Sequence, residues 1–287
     1  MHVNARVIQP AVALETTLLL HGVPKSESLP LAEDLSAVIR EQGAHPALVG
    51  VVHGVPTVGM NQDELATLLA APKVAKVNTS SLGLALHRRE HAATTVSTTM
   101  ELAAAAGIRI FATGGLGGVH KGFAASLDIS ADLAALTRFP VAVVCSGVKS
   151  LLDVPATRET LETLGVPVVG FRTDRFPAFY LRDSGASVDA RFDDAADLAR
   201  YAAAEMGRTG RAVLICNPIP AADEINHADW ERWLAEAGTR AAGSGGRDVT
   251  PAILGHLHQV SNGATLKANL ALVRSNALLA AQIAAAM

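Results

Sequence analysis

The sequence predicts an α/β fold: a single-domain, three-layer α/β/α sandwich around a mostly parallel or mixed central sheet. Strand-like and helical runs alternate along the chain, the pattern of a sheet covered by helices on both faces. Of its 287 residues 49% are hydrophobic but only 4% aromatic, so the core has to be built from Ala, Val and Leu. No internal repeat and no low-complexity linker divides the chain, so one domain spans 1–287.

Taken in order, the apolar run 11–19 reads as the first strand and 30–42 as the first helix. A strand over 47–52 precedes a helix over 62–70, which Asn61 and Glu64 open as a capping box. A short strand at 74–77 and a helix at 95–106 follow, then a strand at 108–112 and a helix at 131–138. Val141 to Cys145 is β-branched and too short for a helix, hence a strand. Strands at 166–170 and 212–216 flank a helix at 193–206. Helices over 229–241, 250–260 and 266–285 finish the chain, and the Gly-rich piece GTRAAGSGGRD (238–248) reads as a loop.

The net charge of −3 and the lack of a Lys/Arg run argue against nucleic acid and for a small-molecule partner. The two cysteines, Cys145 and Cys216, each follow a strand-like apolar run, where buried free thiols sit. The first residues lack a signal-peptide core, and no apolar run is long enough to span a bilayer. The expectation is a soluble cytoplasmic protein.

Ligands of open parallel sheets gather beyond the carboxyl ends of the strands. Few polar residues sit there. Glu15 interrupts VALETTLLL; an unpaired carboxylate in an apolar strand is costly. It is either a buried Glu tying down a loop or a general acid kept protonated by desolvation. Lys76, in VAKV, is an edge-strand lysine or a phosphate or carbonyl partner. Lys149 follows the strand at 141–145 and is either solvated or held there for chemistry.

FATGGLGGVHKG (111–122) is the strongest local signal, a tight turn or a backbone cradle for phosphate, with His120 and Lys121 adding donors. It is neither a Walker A nor a dinucleotide fingerprint. In DISAD (128–132) Asp128 and Asp132 stand four apart at a helix start and therefore on one face. They suit capping or a hard divalent cation such as Mn²⁺ or Mg²⁺ held largely through water. Asn217 and Asn269 lie near element ends, where Asn usually serves the backbone. GHLH (255–258) reads as a surface-helix pair, and no zinc or serine-hydrolase motif is present.

VALETTLLLHGVP, VAKV, ATTVSTTMELAAAAGIRIFATGGLGGVHKG, DISADL, VVCSGVKSLLDVPATRETLETLGVPVVGF, TDRFPAFYLRDSG, NPIP and TLKAN succeed one another as in the pseudouridine-5′-phosphate glycosidases. The chain resembles that family from about residue 10 to its end. The resemblance implies a metal-dependent enzyme, usually with Mn²⁺, that is typically a homotrimer. It breaks a C–C glycosidic bond to give uracil and ribose 5-phosphate. Carried over by position, it makes Lys149 the covalent nucleophile and Glu15 the proton donor. It places Lys76, Val96 and the stretch Ser130, Ala131, Asp132 on the substrate, and Asp128 on the metal with Asp132 close by. Thr113 and His120 fall in the loop that receives phosphate, and Asn269 falls near the base.

A C-glycoside has no heteroatom leaving group. The implied route opens the sugar as Glu15 protonates the ring oxygen and Lys149 attacks the anomeric carbon, and a lysine-bound iminium serves as electron sink. Carbanion character on the base is stabilised by its carbonyl and nearby donors.

Two departures bear on the partner. ALETTLLLHG replaces small polar residues of the family pattern, and KVNTSSLGL stands where the family carries two arginines and an aspartate after the lysine. The arm before the first strand is also shorter than usual, implying a lost subunit contact. These changes leave the charged chemistry intact and alter the aglycone side. They keep open a C-glycosynthase joining ribose 5-phosphate to an aromatic or heterocyclic carbon nucleophile. A sugar kinase, which would share the glycine loop and carboxylates, is a reading from another class.

Overall fold

The computed structural model describes residues 3–240 and 249–287. The chain begins with β1 (Asn4–Ala5), β2 (Ala11–Glu15), a π-helical turn at Leu18–Gly22 and α1 (Lys25–Glu41). There follow β3 (His45–Val52), β4 (Val55–Val58), α2 (Gln62–Ala70), β5 (Ala75–Val77), α3 (Leu82–His87), β6 (Ala92–Thr94) and α4 (Val96–Ala105). The middle holds β7 (Ile110–Ala112), α5 (Phe123–Ser126), α6 (Ala131–Leu136), β8 (Ala142–Cys145), α7 (Val154–Thr163) and β9 (Val168–Phe171). The last part holds β10 (Ala190–Phe192), α8 (Ala195–Thr209), β11 (Leu214–Cys216), α9 (His227–Arg240), α10 (Val249–Val260) and α11 (Ala264–Ala286).

The sheet runs β1-β4-β3-β2-β7-β8-β11-β9-β10, with β6 pairing β3 and β5 pairing β6. The pairs are parallel except β3–β4 and β3–β6, so the sheet is mixed at one end only. The central strands are apolar on both faces because helices cover both. α1 and α8 each pack on α11, which lies across β2, β7 and β8; α4 and α6 pair, with α4 against β2 and β3. The expected α/β/α layering is therefore found. The capping box on α2 is also found, Asn61 and Glu64 each bonding the other's backbone N–H. Cys145 and Cys216 are buried free thiols facing each other in register on β8 and β11. Among the described residues no helix is long and apolar enough to cross a membrane.

Several elements differ from expectation. The first strand stops at Glu15 rather than residue 19. The Thr16 hydroxyl donates to the carbonyl of Val49 (2.9 Å) and accepts from the N–H of Thr94 (3.0 Å). A side chain thus bonds β3 and β6 where a strand would have continued, and Leu18 to Gly22 turn away helically with Leu19 buried. α1 starts at Lys25 and carries Pro30 inside it, five residues ahead of the expected start. Asp153 caps α7, a helix absent from the sequence reading, by accepting from Ala156 N–H (3.1 Å). The loop expected at 238–248 lies mostly outside the described residues.

Candidate active site

The carboxyl ends of β2, β7 and β8 meet at one cavity, as the sheet geometry requires. Glu15, the last residue of β2, lines it with Thr113, which follows β7, and Lys149, which follows β8. Lys76 enters from β5, which runs opposite to β2, and Asn269 descends from α11. Five of the residues singled out in the sequence thus surround one space.

α11 holds the strand ends together. Asn276, wholly buried, donates to the carbonyl of Thr113 (2.8 Å) and accepts from Asn217 (3.0 Å). Its amide also donates to the hydroxyl of Ser146 (3.2 Å). One side chain ties the loops after β7, β8 and β11, and Asn217 serves this scaffold.

Glu15 accepts a short hydrogen bond from the Thr113 hydroxyl. Burial pushes its carboxyl above the ordinary carboxylate range, against the opposing pull of Lys149 and of the Thr113 hydrogen bond. Asp132 adds to the upward push, while Lys76 opposes it. The cavity therefore holds an acid that keeps its proton closer to neutrality than a free Glu, beside two amines. His21, also on the cavity, is held below the ordinary histidine range, first by burial and then by Lys76.

The glycine loop is divided between the cavity and the protein. The N–H groups of Leu116, Gly117, Val119 and His120 are taken by Gly147, Asp132, Thr157 and Asp128, so this part of the loop bonds protein. Gly117 and Gly118 make room for protein, while Gly114 and Gly115 line the cavity. A Cβ at Gly117 would stand 2.3 Å from the Ser130 hydroxyl, and one at Gly118 2.4 Å from the Thr157 hydroxyl. Thr113, expected at a phosphate, spends its hydroxyl on Glu15.

The remaining expected residues stand around the loop and do not line this cavity. Asp132 is buried and accepts from Ser97 N–H (3.0 Å) and Gly117 N–H (2.9 Å), joining the start of α4 to the loop. Ser130 caps α6 by accepting from Asp132 N–H (3.2 Å), Ala131 is its first residue, and Val96 is buried at the start of α4. Asp128 and Asp132 do not share a helix face: α6 begins at Ala131, where Ser130 caps it, and leaves Asp128 in the preceding loop. There Asp128, 52% exposed, faces His120 at 3.7 Å. Among the described residues no three His, Cys, Asp or Glu side chains gather as a metal cage. An exposed carboxylate by itself suits a hard cation held by one protein oxygen and otherwise by water.

The sequence reading assigned no role to Thr17, Tyr180, Trp230 and His258, which all line the cavity. His258 is half-buried and hydrogen-bonded to Thr265 (2.8 Å), so GHLH is not a surface pair. The apolar wall is completed by Leu18, Leu151 and Phe179. Beyond Lys76, the departing NTSS segment closes on itself: Asn78 Oδ1 accepts from the backbone and hydroxyl groups of Ser80 and Ser81.

A family described as indigoidine synthase A-like protein matches residues 3–286. A pseudouridine-5′-phosphate glycosidase of Nocardioides sp. is 47% identical over 281 residues, covering 96% of this chain and 91% of its own. One from Methylobacterium nodulans is also 47% identical, at 97% and 83% coverage. The crystal structure of an indigoidine synthase A-like protein from Thermotoga maritima superposes with a TM-score of 0.92 at 37% identity, covering 98% of this chain and 95% of that one. The prealnumycin C-glycosynthase AlnA, solved with ribulose 5-phosphate, gives 0.90 at 34% identity, covering 100% and 97%.

Proposed function

The chain belongs to the indigoidine synthase A-like family, with the pseudouridine-5′-phosphate glycosidases among its relatives, and we propose that it cleaves the C–C glycosidic bond of pseudouridine 5′-phosphate reversibly, through a lysine adduct. One observation carries the reading: a buried carboxyl, pushed by burial above the ordinary carboxylate range, shares a cavity with two lysines.

A single carboxyl shuttling one proton is enough for the reaction. Neutral Lys149 adds to C1′ as the C1′–O4′ bond breaks and Glu15 gives its proton to O4′. Glu15 then takes a proton back from the nitrogen of the adduct. The nitrogen lone pair forms C=N as the C1′–C bond breaks, and that bond's electron pair leaves with the aglycone carbon, which takes up a proton. Water releases ribose 5-phosphate from the iminium. A free lysine near pKa ~10.4 is almost wholly charged at neutral pH, so the attacking amine has to give up a proton before it adds to C1′.

Val96, His120 and the stretch Ser130 to Asp132 complete the sugar-phosphate side in this reading. Asp128 would hold a divalent cation, Mn²⁺ or Mg²⁺, which would supply positive charge for the phosphate. The assembly is a homotrimer. A second reading, synthesis of a C-glycoside on an aromatic aglycone, is favoured by the apolar wall of Leu18, Leu151, Phe179 and Trp230 and by the likeness to AlnA.

The test is to incubate the protein with ribose 5-phosphate and cyanoborohydride and to map the product by peptide mass. The Lys149 peptide should gain the reduced sugar phosphate. A protein that gains none, or that instead consumes ATP with a sugar as a kinase does, overturns the reading. Assays in both directions with uracil and with other carbon nucleophiles then identify the aglycone.

A further inference from the structure

Among the described residues, four buried side-chain polar atoms lack a hydrogen-bond partner: Thr17 Oγ1, Arg158 Nη1, Tyr180 Oη and Asn269 Oδ1. Three of the four belong to residues lining the one cavity that holds Glu15 and Lys149. Arg158 is different, since its other nitrogens already bond Asp189 and the Ser187 carbonyl. Buried polar groups are nearly always satisfied, so three orphans on one cavity call for a ligand. The set is a phenol, an alcohol and an amide oxygen, which together match the edge of a planar ring carrying C=O and N–H groups.

Tyr180 is the most tightly held of the three. Its side chain is 1% exposed, with the Phe179 ring edge-on at 4.7 Å and the Trp230 ring at 5.4 Å. Its N–H donates to the Ser150 hydroxyl (3.3 Å), and its carbonyl accepts from Ile225 (3.2 Å). Ser150 in turn donates to the carbonyl of Ala178. Because Ser150 is the residue after Lys149, this bond ties the backbone of Tyr180 to the segment that carries the lysine, and both residues line the cavity. Burial pushes the phenol well above its ordinary range, so it stays a neutral donor.

We infer that the Tyr180 hydroxyl donates a hydrogen bond to the aglycone carbonyl oxygen on which negative charge collects as the glycosidic C–C bond breaks or forms. The inference rests on the proposed C-glycoside chemistry and gives the second half of the site a role. When C1′–C breaks, its electron pair passes to the aglycone carbon and spreads through conjugation onto the carbonyl oxygen. A fixed donor in a dry pocket stabilises that charge more than it stabilises the neutral ground state. The substrate class follows: a carbon nucleophile conjugated to a carbonyl, as in a pyrimidinedione or a hydroxylated quinone. Thr17 and Asn269 fit the remaining edge of the same ring.

The experiment compares wild type with Tyr180→Phe in two assays on the full chain. Cleavage of pseudouridine 5′-phosphate should lose on the order of a hundredfold in kcat, with KM changed far less. Reductive trapping of ribose 5-phosphate on Lys149 should proceed at the wild-type rate, because that step involves no aglycone. Wild-type kcat in the variant overturns the inference. Equal loss of trapping does too, since the residue then acts on the sugar or on the fold. A wild-type enzyme that traps no sugar fails the parent reading and this one with it. If the phenylalanine variant does not fold, fluorotyrosine at both tyrosines of the chain, Tyr180 and Tyr201, replaces it. The more acidic phenol should keep or raise kcat, and a hundredfold fall counts against the donor role.

Discussion

Glu15 has two lysines within electrostatic reach, and still burial prevails and raises its carboxyl. The consequence for stability has a definite sign. A carboxyl with a raised folded value favours folding below its unfolded pKa and loses that advantage as pH rises through the folded value. Glu15→Gln cannot ionise, so relative to wild type it should gain stability as pH rises above the ordinary carboxylate range, as read from urea unfolding at each pH. A gap that stays constant or shrinks would show the carboxyl to be ordinary. The same variant should lose turnover, having no proton for the ring oxygen. Lys149→Ala should abolish turnover and leave the melting temperature nearly unchanged, since Lys149 is half-buried on a cavity wall and not packed in the core. Measurable cleavage by that variant would remove the covalent step. Asp128 carries a third residue-level expectation: Asp128→Asn should raise the Mn²⁺ concentration needed for half-maximal activity, and an unchanged titration would take the cation elsewhere.

At the scale of elements, the segment after β8 is positioned by close backbone approach more than by side chains. Gly147 has φ +73°, and a Cβ there would come within 1.9 Å of the Pro177 carbonyl oxygen. The approach lets Phe179 N–H reach the Ser146 carbonyl (2.8 Å) and sets Lys149 against the aromatic wall. Gly147→Ala meets both obstacles, so it should cost more than the roughly 1–3 kcal/mol of a left-handed residue alone. Its denaturation midpoint should fall and its turnover with it; unchanged stability would mean that the junction yields freely. This contact joins residues thirty apart, which explains why the strand and the lysine were readable in the sequence and the wall facing them was not. The turn at Leu18–Gly22 was misread for a related reason. Three leucines in a row suit a strand, but a Thr16 hydroxyl from within the same motif occupies the backbone groups that a longer strand would need.

At the scale of the whole molecule, the parallel core was legible because strands covered on both faces are short apolar runs, and such runs are visible in one dimension. The edge strands β1 and β10 were not, being two and three residues long and largely exposed. Of the site, Glu15, Lys76, Thr113, Lys149 and Asn269 were found from motif order. Tyr180, Thr17 and His258 were not, because what marks them is a missing partner or a neighbour in space. The residues of the cavity come from positions 15 to 269, so ligand binding fastens both ends of the chain to the same sheet. A ligand at about a hundred times its dissociation constant adds about 2.7 kcal/mol to the folded state. In a cooperative unit of this size that is a rise of several degrees in melting temperature. Calorimetry with ribose 5-phosphate should therefore show one transition that moves upward whole. Two transitions, only one of which moves, would divide the chain into separate units and confine the site to one of them. Asn276→Ala sharpens the test, since it removes the α11 side chain that joins the loops after β7, β8 and β11. It should lower the melting temperature and shrink the ligand-induced rise together, because the same buried amide supports both the fold and the geometry of the strand ends.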